Sequence, residues 1–440
     1  MKEKVVKVGI VGFGTIGSGV AKILLEQADN IASKTHVRVE LSCVVDLDTE
    51  SDRPVKLPPG MLTNEINKLL DDDSIDIGVE LVGGTVAARE IQMKMLASGK
   101  DVVTANKALL AEFGNEIYNA ARNNHRCIAF EASCAGGIPI VSAIRTGLVA
   151  NEIKGMYAIV NGTCNYILTN MARRGQAFSQ ALSEAKQKGY AESDPVLDIT
   201  GSDSAHKLAI LSSIAFGCEI RLEDIYTEGI EKIRPDDIRY GAEMGYCLKL
   251  LAIGQKADDG KISLRVHPSF IANDNALAGV DGSFNAISIF ADAVGQVMFY
   301  GRGAGMMPTA SAVVADIIDV ACGNCATTFE NIRIRPRAQS KKLISAIGGL
   351  VSRFYIRLMV KDQAGVFAQI GKILADNQIS ISGILQHEGR GPDNTIPVVI
   401  TTHPTRQNQT SDVLNGLAQL DTVCSEPVCI RIVDIPEDKD

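Results

Sequence analysis

A chain of 440 residues, 46% hydrophobic and 22% charged, has the composition of a globular protein with an ample core and suggests about three domains. Its formal net charge of −8 and pI near 5.4 exclude a broad nucleic-acid-binding surface as the main function. No run reaches the roughly 18 apolar residues of a membrane span, and MKEKVVKVGIVGFG enters a strand at once, so neither a membrane anchor nor a signal peptide is expected.

Val5 to Val11 is an apolar run of strand length. Gly12-Phe13-Gly14-Thr15-Ile16-Gly17 follows, and then Val20, Ile23 and Leu24 recur at helical spacing. Strand, glycine turn and helix in this order are the context of a dinucleotide-binding loop. Gly12 permits the tight turn, Gly14 lets the backbone approach a pyrophosphate, and Gly17 lets helix and strand pack closely. A second strand, Val39 to Val45, ends at Asp46 after a long connection over Asp29 to His36. Asp46 at that position can accept ribose hydroxyls of NAD and repel a 2′-phosphate. Asp48 competes for the same role, and Arg53 suits the phosphate of NADP, so both cofactors stay open.

Ile75 to Val82 reads as a buried strand. Val86 to Ser98 is a helix capped at Gly99, and Asp101 to Thr104 is a strand leading into Asn106-Lys107. Cys127 to Glu131 is a further strand, followed by the small residues Ala132 to Gly137. The alternation argues a parallel sheet with helices on both faces. Thr104 and Lys107 then lie at its carboxyl edge, where ligands bind. From Ile140 the chain changes character. Ile140 to Leu148 is helical, Ile153 to Val160 a strand, and Asn161 to Tyr166 turns into a helix.

The stretch AKQKGYAESDPVLDITGSDSAHK, residues 185–207, carries Glu192, Asp194, Asp198, Asp203 and Lys207. Pro195, Gly189 and Gly201 place the acids up to Asp198 on an irregular segment. Ser202 or Asp203 starts a helix that Gly217 ends. Asp203 and Lys207 then share a face with Ile210, Leu211 and Ile214, which is costly unless the charges are paired or used.

Ser263 to Val266 and Ala286 to Phe290 are strand-like, and Gly301 to Gly305 precedes a helix over Thr309 to Val320. Glu330 to Gly349 carries Arg333, Arg335, Arg337, Lys341 and Lys342 and reads as a linker with some structure. Beyond it, Phe354, Ile356, Leu358 and Val360 alternate with Tyr355, Arg357 and Met359, the pattern of a half-buried strand. The turn Asp362 to Gly365, a helix over Val366 to Asn377, strands over Ile379 to Leu385 and Ile396 to Thr402, a helix over Thr410 to Leu420 and a strand over Val428 to Val433 complete a ferredoxin-like order. The ten cysteines are scattered, as reduced thiols of a cytoplasmic protein would be. Cys322 and Cys325 have CxxC spacing but no second pair, and no two of the six histidines have ligand spacing on one helix.

The 185–207 stretch, read as Ala-x3-Gly-Tyr-Ala-x2-Asp-Pro-x2-Asp-Ile-x-Gly-x-Asp-x3-Lys, resembles the substrate and catalytic segment of homoserine dehydrogenases. VVTANKALLA, Asn161-Gly162-Thr163-x-Asn165-Tyr166 and Gly301 to Gly305 resemble the same family, and DQAGVFAQI with the tail resembles an ACT domain. The resemblance implies a Rossmann-type domain over 1–140 and 301–325 and an α+β substrate and dimerisation domain over 141–300. A linker over 326–351 and an ACT domain over 352–436 would follow. It implies substrate contacts from Gly162 and Thr163, and cofactor contacts from Thr104, Lys107, Gly189 and Gly305. A sodium or potassium ion would sit on Glu131 and the carbonyls of Cys134, Gly136 and Ile138. An amino-acid effector, threonine first, would bind at Asp362, Gly365 and Val366. A homodimer is implied, doubled to a tetramer if ACT domains pair.

Oxidation of homoserine removes a hydride from carbon and a proton from the hydroxyl, and the cofactor carries the hydride. Carboxylates such as Glu192 and Asp198 suit the substrate ammonium. Lys207 suits the reacting oxygen as acid and base, with Asp203 as its partner and Lys107 as a second electrophile. A non-catalytic NAD(P)-binding amino-acid sensor, or a dehydrogenase for another small amino acid, is the alternative.

Overall fold

The computed structural model describes residues 4–192, 194–331, 344–387 and 395–436, so the basic run Arg333 to Lys342 lies outside the described residues. β1 (Lys4–Val11), β2 (Val37–Val45), β3 (Leu62–Thr63), β4 (Ile77–Glu80), β5 (Asp101–Thr104) and β6 (Ile128–Ala129) form a parallel sheet in the order β3-β2-β1-β4-β5-β6. Val8, Ile10, Val39, Val44, Val79, Val102 and Val103 are buried in it. A sheet covered on both faces requires such β-branched runs. Strand order reverses between β1 and β4, so a crevice opens at their carboxyl ends. The glycine loop leaves β1 there, beside Glu80 at the end of β4 and Thr104 at the end of β5.

Two local expectations change. The connection over Asp29 to His36 contains a helix, Ala28–Thr35, which ends at His36 with φ 59°. It buries Ile31 and Ala32, too few apolar positions to show a period. The strand expected over Cys127 to Glu131 shortens to β6, and Glu131–Ser133 form a single 3-10 turn. There the Ser133 amide and hydroxyl both donate to the Phe130 carbonyl, at 3.0 and 2.6 Å.

The remaining strands form one mixed sheet. They are β7 (Ile153–Ile159), β8 (Tyr226–Thr227), β9 (Tyr246–Lys256), β10 (Ile262–Ala272), β11 (Phe284–Ala291), β12 (Gly295–Arg302), β13 (Val351–Lys361), β14 (Ile381–Gln386), β15 (Thr395–Thr402), β16 (Thr405–Arg406) and β17 (Val428–Ile432). The main path runs β12-β11-β7-β9-β10-β17-β13-β15-β14. The last four are the ferredoxin-like module, with the helices Val366–Asp376 and Gln407–Ala418 packed on one face. The module is not a separate body on a tether. β17 pairs in parallel with β10, Ser269 opposite Arg431 and Phe270 opposite Ile432.

That continuity explains why β13 is buried on both faces rather than one. Phe354, Ile356, Leu358 and Val360 face the module's helices. Tyr355 and Arg357 point the other way, onto the helix Pro235–Glu243. There the fully buried Asp237 carboxylate accepts the Tyr355 hydroxyl at 3.0 Å and Arg357 Nε and Nη2 at 2.6 and 3.2 Å.

The helix Ser202–Phe216 packs between the second sheet and the helix Lys107–Asn123 of the first unit. The helix Met306–Ala321 returns to the first unit, where it lies against the helix Thr15–Glu26. Gly19 allows that approach, since a Cβ there would stand 2.9 Å from Ala310 Cβ.

Replacing Arg357 with Met should destabilise the chain by about 3–5 kcal/mol, because it strands a buried carboxylate. Asp237→Leu added to Arg357→Met should recover most of that loss. Urea unfolding of the wild type and the two variants measures both, and a cost of Arg357→Met within error of zero would refute the account.

Candidate active site

The nucleotide edge is built by the backbone. Gly12 has φ 102°, and a Cβ there would stand 2.7 Å from Leu81 O. A Cβ on Gly17 would stand 2.0 Å from Gly12 O, so glycine is required where the helix crosses the loop. Over Gly14 the space is open, with no heavy atom within 4 Å of a built Cβ. The helix Thr15–Glu26 starts at Gly14 without a side-chain cap, so its first N–H groups, from Thr15, Ile16 and Gly17, point toward that space. Open space and uncapped N–H groups fit the diphosphate of a dinucleotide. Phe13 contributes differently: its amide donates to Asp46 Oδ2 at 2.5 Å, and its ring is buried. Asp46 Oδ1 accepts the Asp48 amide at 2.9 Å. Arg53 stands 3.8 Å from Asp46 and 3.2 Å from Asp48, so both signs of charge meet where the adenine ribose would lie.

The next two strand ends are fixed by Glu80, which the sequence reading passed over. It is fully buried. Oε1 accepts the Val82 and Gly83 amides at 2.8 and 3.3 Å, and Oε2 accepts Gln92 Nε2 and the Thr104 hydroxyl, both at 2.8 Å. The Thr104 side chain is therefore engaged inside the protein, and its oxygen also accepts the Asn106 amide at 3.0 Å. Asn106 caps the helix Lys107–Asn123 through Leu109 N at 3.1 Å. This chain of bonds sets where Lys107 leaves the sheet.

Lys107 Nζ reaches Asp203 Oδ1 at 2.5 Å. The other oxygen of Asp203, Oδ2, accepts Lys207 Nζ at 2.7 Å and Asn161 Nδ2 at 2.8 Å. Lys207 Nζ also donates to Val160 O at 2.6 Å, beyond the end of β7. Asn161 Nδ2 bonds Asp198 Oδ1 at 2.7 Å, while Asn161 Oδ1 caps the helix Gly162–Arg174 through Cys164 N at 2.8 Å. Asp198 does not lie on an irregular segment as expected. It sits on the one-turn helix Val196–Ile199, which Pro195 starts. Asn161 is the residue that joins the two acids, and its signal in the sequence is an asparagine just before a helical run.

Burial works to raise the Asp203 carboxyl, but the charges of Lys207 and Lys107 overcome it and hold the group well below the usual carboxylate range. Burial works to lower Lys107, but Asp203 reverses it and raises the amine. Burial, opposed by the Asn161 bond, pushes the Asp198 carboxyl up. Asp203 is 4% exposed, whereas the Lys107 side chain keeps 39% exposure at the mouth of the crevice. A cationic amine thus faces the crevice, and a buried anion holds it from behind.

Other named residues sit as follows. The Thr163 hydroxyl donates to Tyr190 O at 2.6 Å. Gly162 starts the helix, and a Cβ there would stand 2.7 Å from Ser283 O. Gly189 has φ 73° after the helix Phe178–Gln187, and Glu192 is exposed on the strap that follows. Among the described residues, no hydrogen bond or ion pair joins Glu192 to the lysines. Gly305, at φ 123°, opens the helix Met306–Ala321.

Glu131 receives the Val141 and Ser142 amides at 2.7 and 2.8 Å, one on each carboxylate oxygen, and burial raises its carboxyl. Ile138 O accepts Ile140 N at 2.8 Å, Gly136 has φ 50°, and burial pushes the Cys134 thiol up to about 12. The Glu131 oxygens and the Ile138 carbonyl each keep a lone pair, and oxygen donors of this kind are those a hard cation takes. In the C-terminal module, Gly365, at φ 90°, opens the helix Val366–Asp376 after the Asp362 turn, and Val366 is buried.

Three family models match the chain. They are described as homoserine dehydrogenase over residues 139–318, as homoserine dehydrogenase NAD-binding domain over 12–131, and as ACT domain over 354–421. A homoserine dehydrogenase of Neisseria gonorrhoeae is 40% identical over 98% of this chain and 99% of its own. The crystal structure of a homoserine dehydrogenase from Thiobacillus denitrificans superimposes with a TM-score of 0.89 at 39% identity, covering 98% of this chain and 99% of that one. A hyperthermophilic archaeal homoserine dehydrogenase in complex with NADPH matches 75% of this chain and all of its own, with a TM-score of 0.61 at 29% identity. Likeness of this extent, from the glycine loop through the C-terminal module, means that the chain belongs to the homoserine dehydrogenase family.

Proposed function

We propose a division of labour among named residues for the NAD(P)-dependent interconversion of L-homoserine and L-aspartate 4-semialdehyde. The observation that carries it is the Lys107–Asp203–Lys207 chain, joined through Asn161 to Asp198. An ammonium has three donors. Lys207 spends two, on Val160 O and Asp203, and the third remains for the substrate oxygen. In the reductive direction Lys207 gives a proton to the nascent alkoxide; in the oxidative direction it takes the hydroxyl proton back. The nicotinamide, when bound, supplies or accepts the hydride. Lys107 stays cationic beside Asp203 and stabilises charge on the same oxygen. Asp198 and Glu192 take the substrate ammonium, with Asp203, Gly162 and Thr163 shaping the site. The diphosphate lies on Gly12 to Gly17, and Gly189, Thr104 and Gly305 border the cofactor.

In this proposal residues 1–140 and 301–325 carry the cofactor, and 141–300 carry substrate and the dimer contact. Residues 352–436 regulate, beyond a linker over 326–351. β12 is the sheet edge available to a second copy. A monovalent cation on Glu131 would tighten the loop to Ile138; equal rates in choline and potassium buffers would dismiss it. Threonine at the Asp362–Gly365 turn is the effector assigned to the module. All ten cysteines are free, which accords with a cytoplasmic setting.

Lys207→Met should lower kcat by about 10²–10⁴-fold, the range of a lost proton-transfer group. Homoserine KM should change far less, as initial rates will show. An unaffected kcat would move the proton role to Lys107 or water.

For the cofactor we favour NAD, because Asp46 closes the strand end with a negative charge. The archaeal relative's NADPH complex shows that the family fold also admits the phosphate. Asp46→Asn keeps an acceptor for Phe13 N and removes the charge. It should improve kcat/KM with NADP by about tenfold, or about 1.4 kcal/mol. A wild type that already prefers NADP would overturn the assignment.

A further inference from the structure

A cavity of 340 Å³ lies where the C-terminal module meets the substrate unit. That volume falls within the roughly 300–1,000 Å³ of small-molecule sites. Its charged lining is Glu228, Glu231 and Lys232 from one side and Arg431 from β17, with Tyr226 and Gln407 between them. It shares no residue with the Asp362–Gly365 turn. Arg431 is 5% exposed. Its Nε donates to Gln407 Oε1 at 2.9 Å, its Nη1 to Glu228 Oε2 at 3.0 Å, and its guanidinium lies 4.7 Å over the Tyr226 ring. The cation is thus held rigidly with one face of the site formed around it. Glu231 and Lys232 are exposed at the mouth.

Two carboxylates and two cations around one cavity select against most ligands. An anion meets Glu228 and Glu231, a cation meets Arg431 and Lys232, and an apolar molecule desolvates all four. A small zwitterion satisfies both signs, its carboxylate toward Arg431 and Lys232 and its ammonium toward the glutamates.

The wall of this cavity is also the backing of the catalytic segment. Glu228 N donates to Val266 O at 2.8 Å, and Ile230 N donates to Ile199 O at 2.9 Å. Gly229 has no room for a side chain: a Cβ there would stand 2.1 Å from Ile199 O and 2.7 Å from Thr200 Cα. Ile199 is the last residue of the one-turn helix that carries Asp198. One peptide plane therefore separates the cavity from the helix that holds the Asp198–Asn161 bond.

We propose that this junction cavity is a second effector site, for a small α-amino acid, and that its occupancy shifts the Val196–Ile199 turn and with it the hold of Asp198 on substrate. The coupling half rests on the assignment of Asp198 to the substrate ammonium. A ligand here need not act through the distant turn of the module, since it touches the substrate unit itself.

Calorimetry of the full chain with L-threonine, L-serine and L-alanine, alongside initial rates with homoserine, tests it. The variants are Leu414→Trp, which fills the cavity from the apolar part of its lining, Glu231→Lys, which adds a third cation from an exposed position, and Asp362→Ala in the module's turn. At least one of the three amino acids should bind the wild type and change homoserine KM by about fivefold or more, the lower end of allosteric couplings. Binding and effect should persist in Asp362→Ala, which removes the module's own site, and should vanish when Leu414→Trp or Glu231→Lys is added to Asp362→Ala. Should Leu414→Trp not fold, Glu231→Lys decides alone. No binding by any of the three, or binding that survives Glu231→Lys and disappears in Asp362→Ala, overturns the site. Binding at the cavity with KM unchanged overturns the coupling. Asp198→Asn without amino acid is a separate control. An unchanged homoserine KM there dismisses the substrate assignment and leaves the calorimetric result standing.

Discussion

A single buried carboxylate shared by two ammonium groups holds this molecule's working parts together. Asp203 is taken out of water on the first turn of its helix, and such a charge is tolerated only when fully paired. Its two oxygens divide the task. Oδ1 takes Lys107, which arrives from the end of β5 in the nucleotide unit. Oδ2 takes Lys207 and Asn161, which belong to the substrate unit. The ion pair is therefore also a joint between units, and it sets the lysines at the crevice before any substrate enters. Preorganised charge of this kind needs no rearrangement when an alkoxide develops.

What could be read in advance was what is local. Asp203 and Lys207 are four residues apart on one helix, so their meeting follows from helical geometry. Gly12, Gly14 and Gly17 surround a strand-to-helix turn, and their separate roles follow from that turn alone. Asn161 and Lys107 are different. Each lies tens of residues from Asp203, and each meets it through packing of two sheets that no local period encodes. Glu80 was hidden for another reason. An acid at the end of an apolar strand looks like a strand terminus, and its four hydrogen bonds come from the loop that follows, from Gln92 on the next helix and from Thr104 on the next strand, none of which a strand pattern encodes.

The same limit explains the C-terminal module. Its own order was legible because alternation along β13 and the two amphipathic helices are properties of short windows. Its attachment was not. The parallel pairing of β17 with β10 joins segments over 150 residues apart, and the alternating pattern of β13 looks the same whether its second face meets water or protein. Arg357 reads as a solvated position on that face. It is buried because Asp237, on a helix far earlier in the chain, is waiting for it.

A module that shares a sheet with the substrate unit is under a mechanical constraint. A tethered domain can signal by docking and undocking, but a strand inside a continuous sheet cannot leave without breaking its ladder and the Arg357–Asp237 pair. Any signal must therefore pass as a small shift at places with little slack. Gly229 is such a place: its missing side chain puts one backbone directly against another, so movement of the Glu228 segment has nowhere to go except into the Ile199 carbonyl. Gly201, two residues after Ile199, adds a looser approach, since a Cβ there would stand 3.3 Å from Glu228 O, and its φ of 85° leaves the residue no other identity at low cost. Close-packed interiors transmit displacement rather than absorb it. The two glycines thus set the Glu228 segment against the turn that carries Asp198 with no side chain between the backbones.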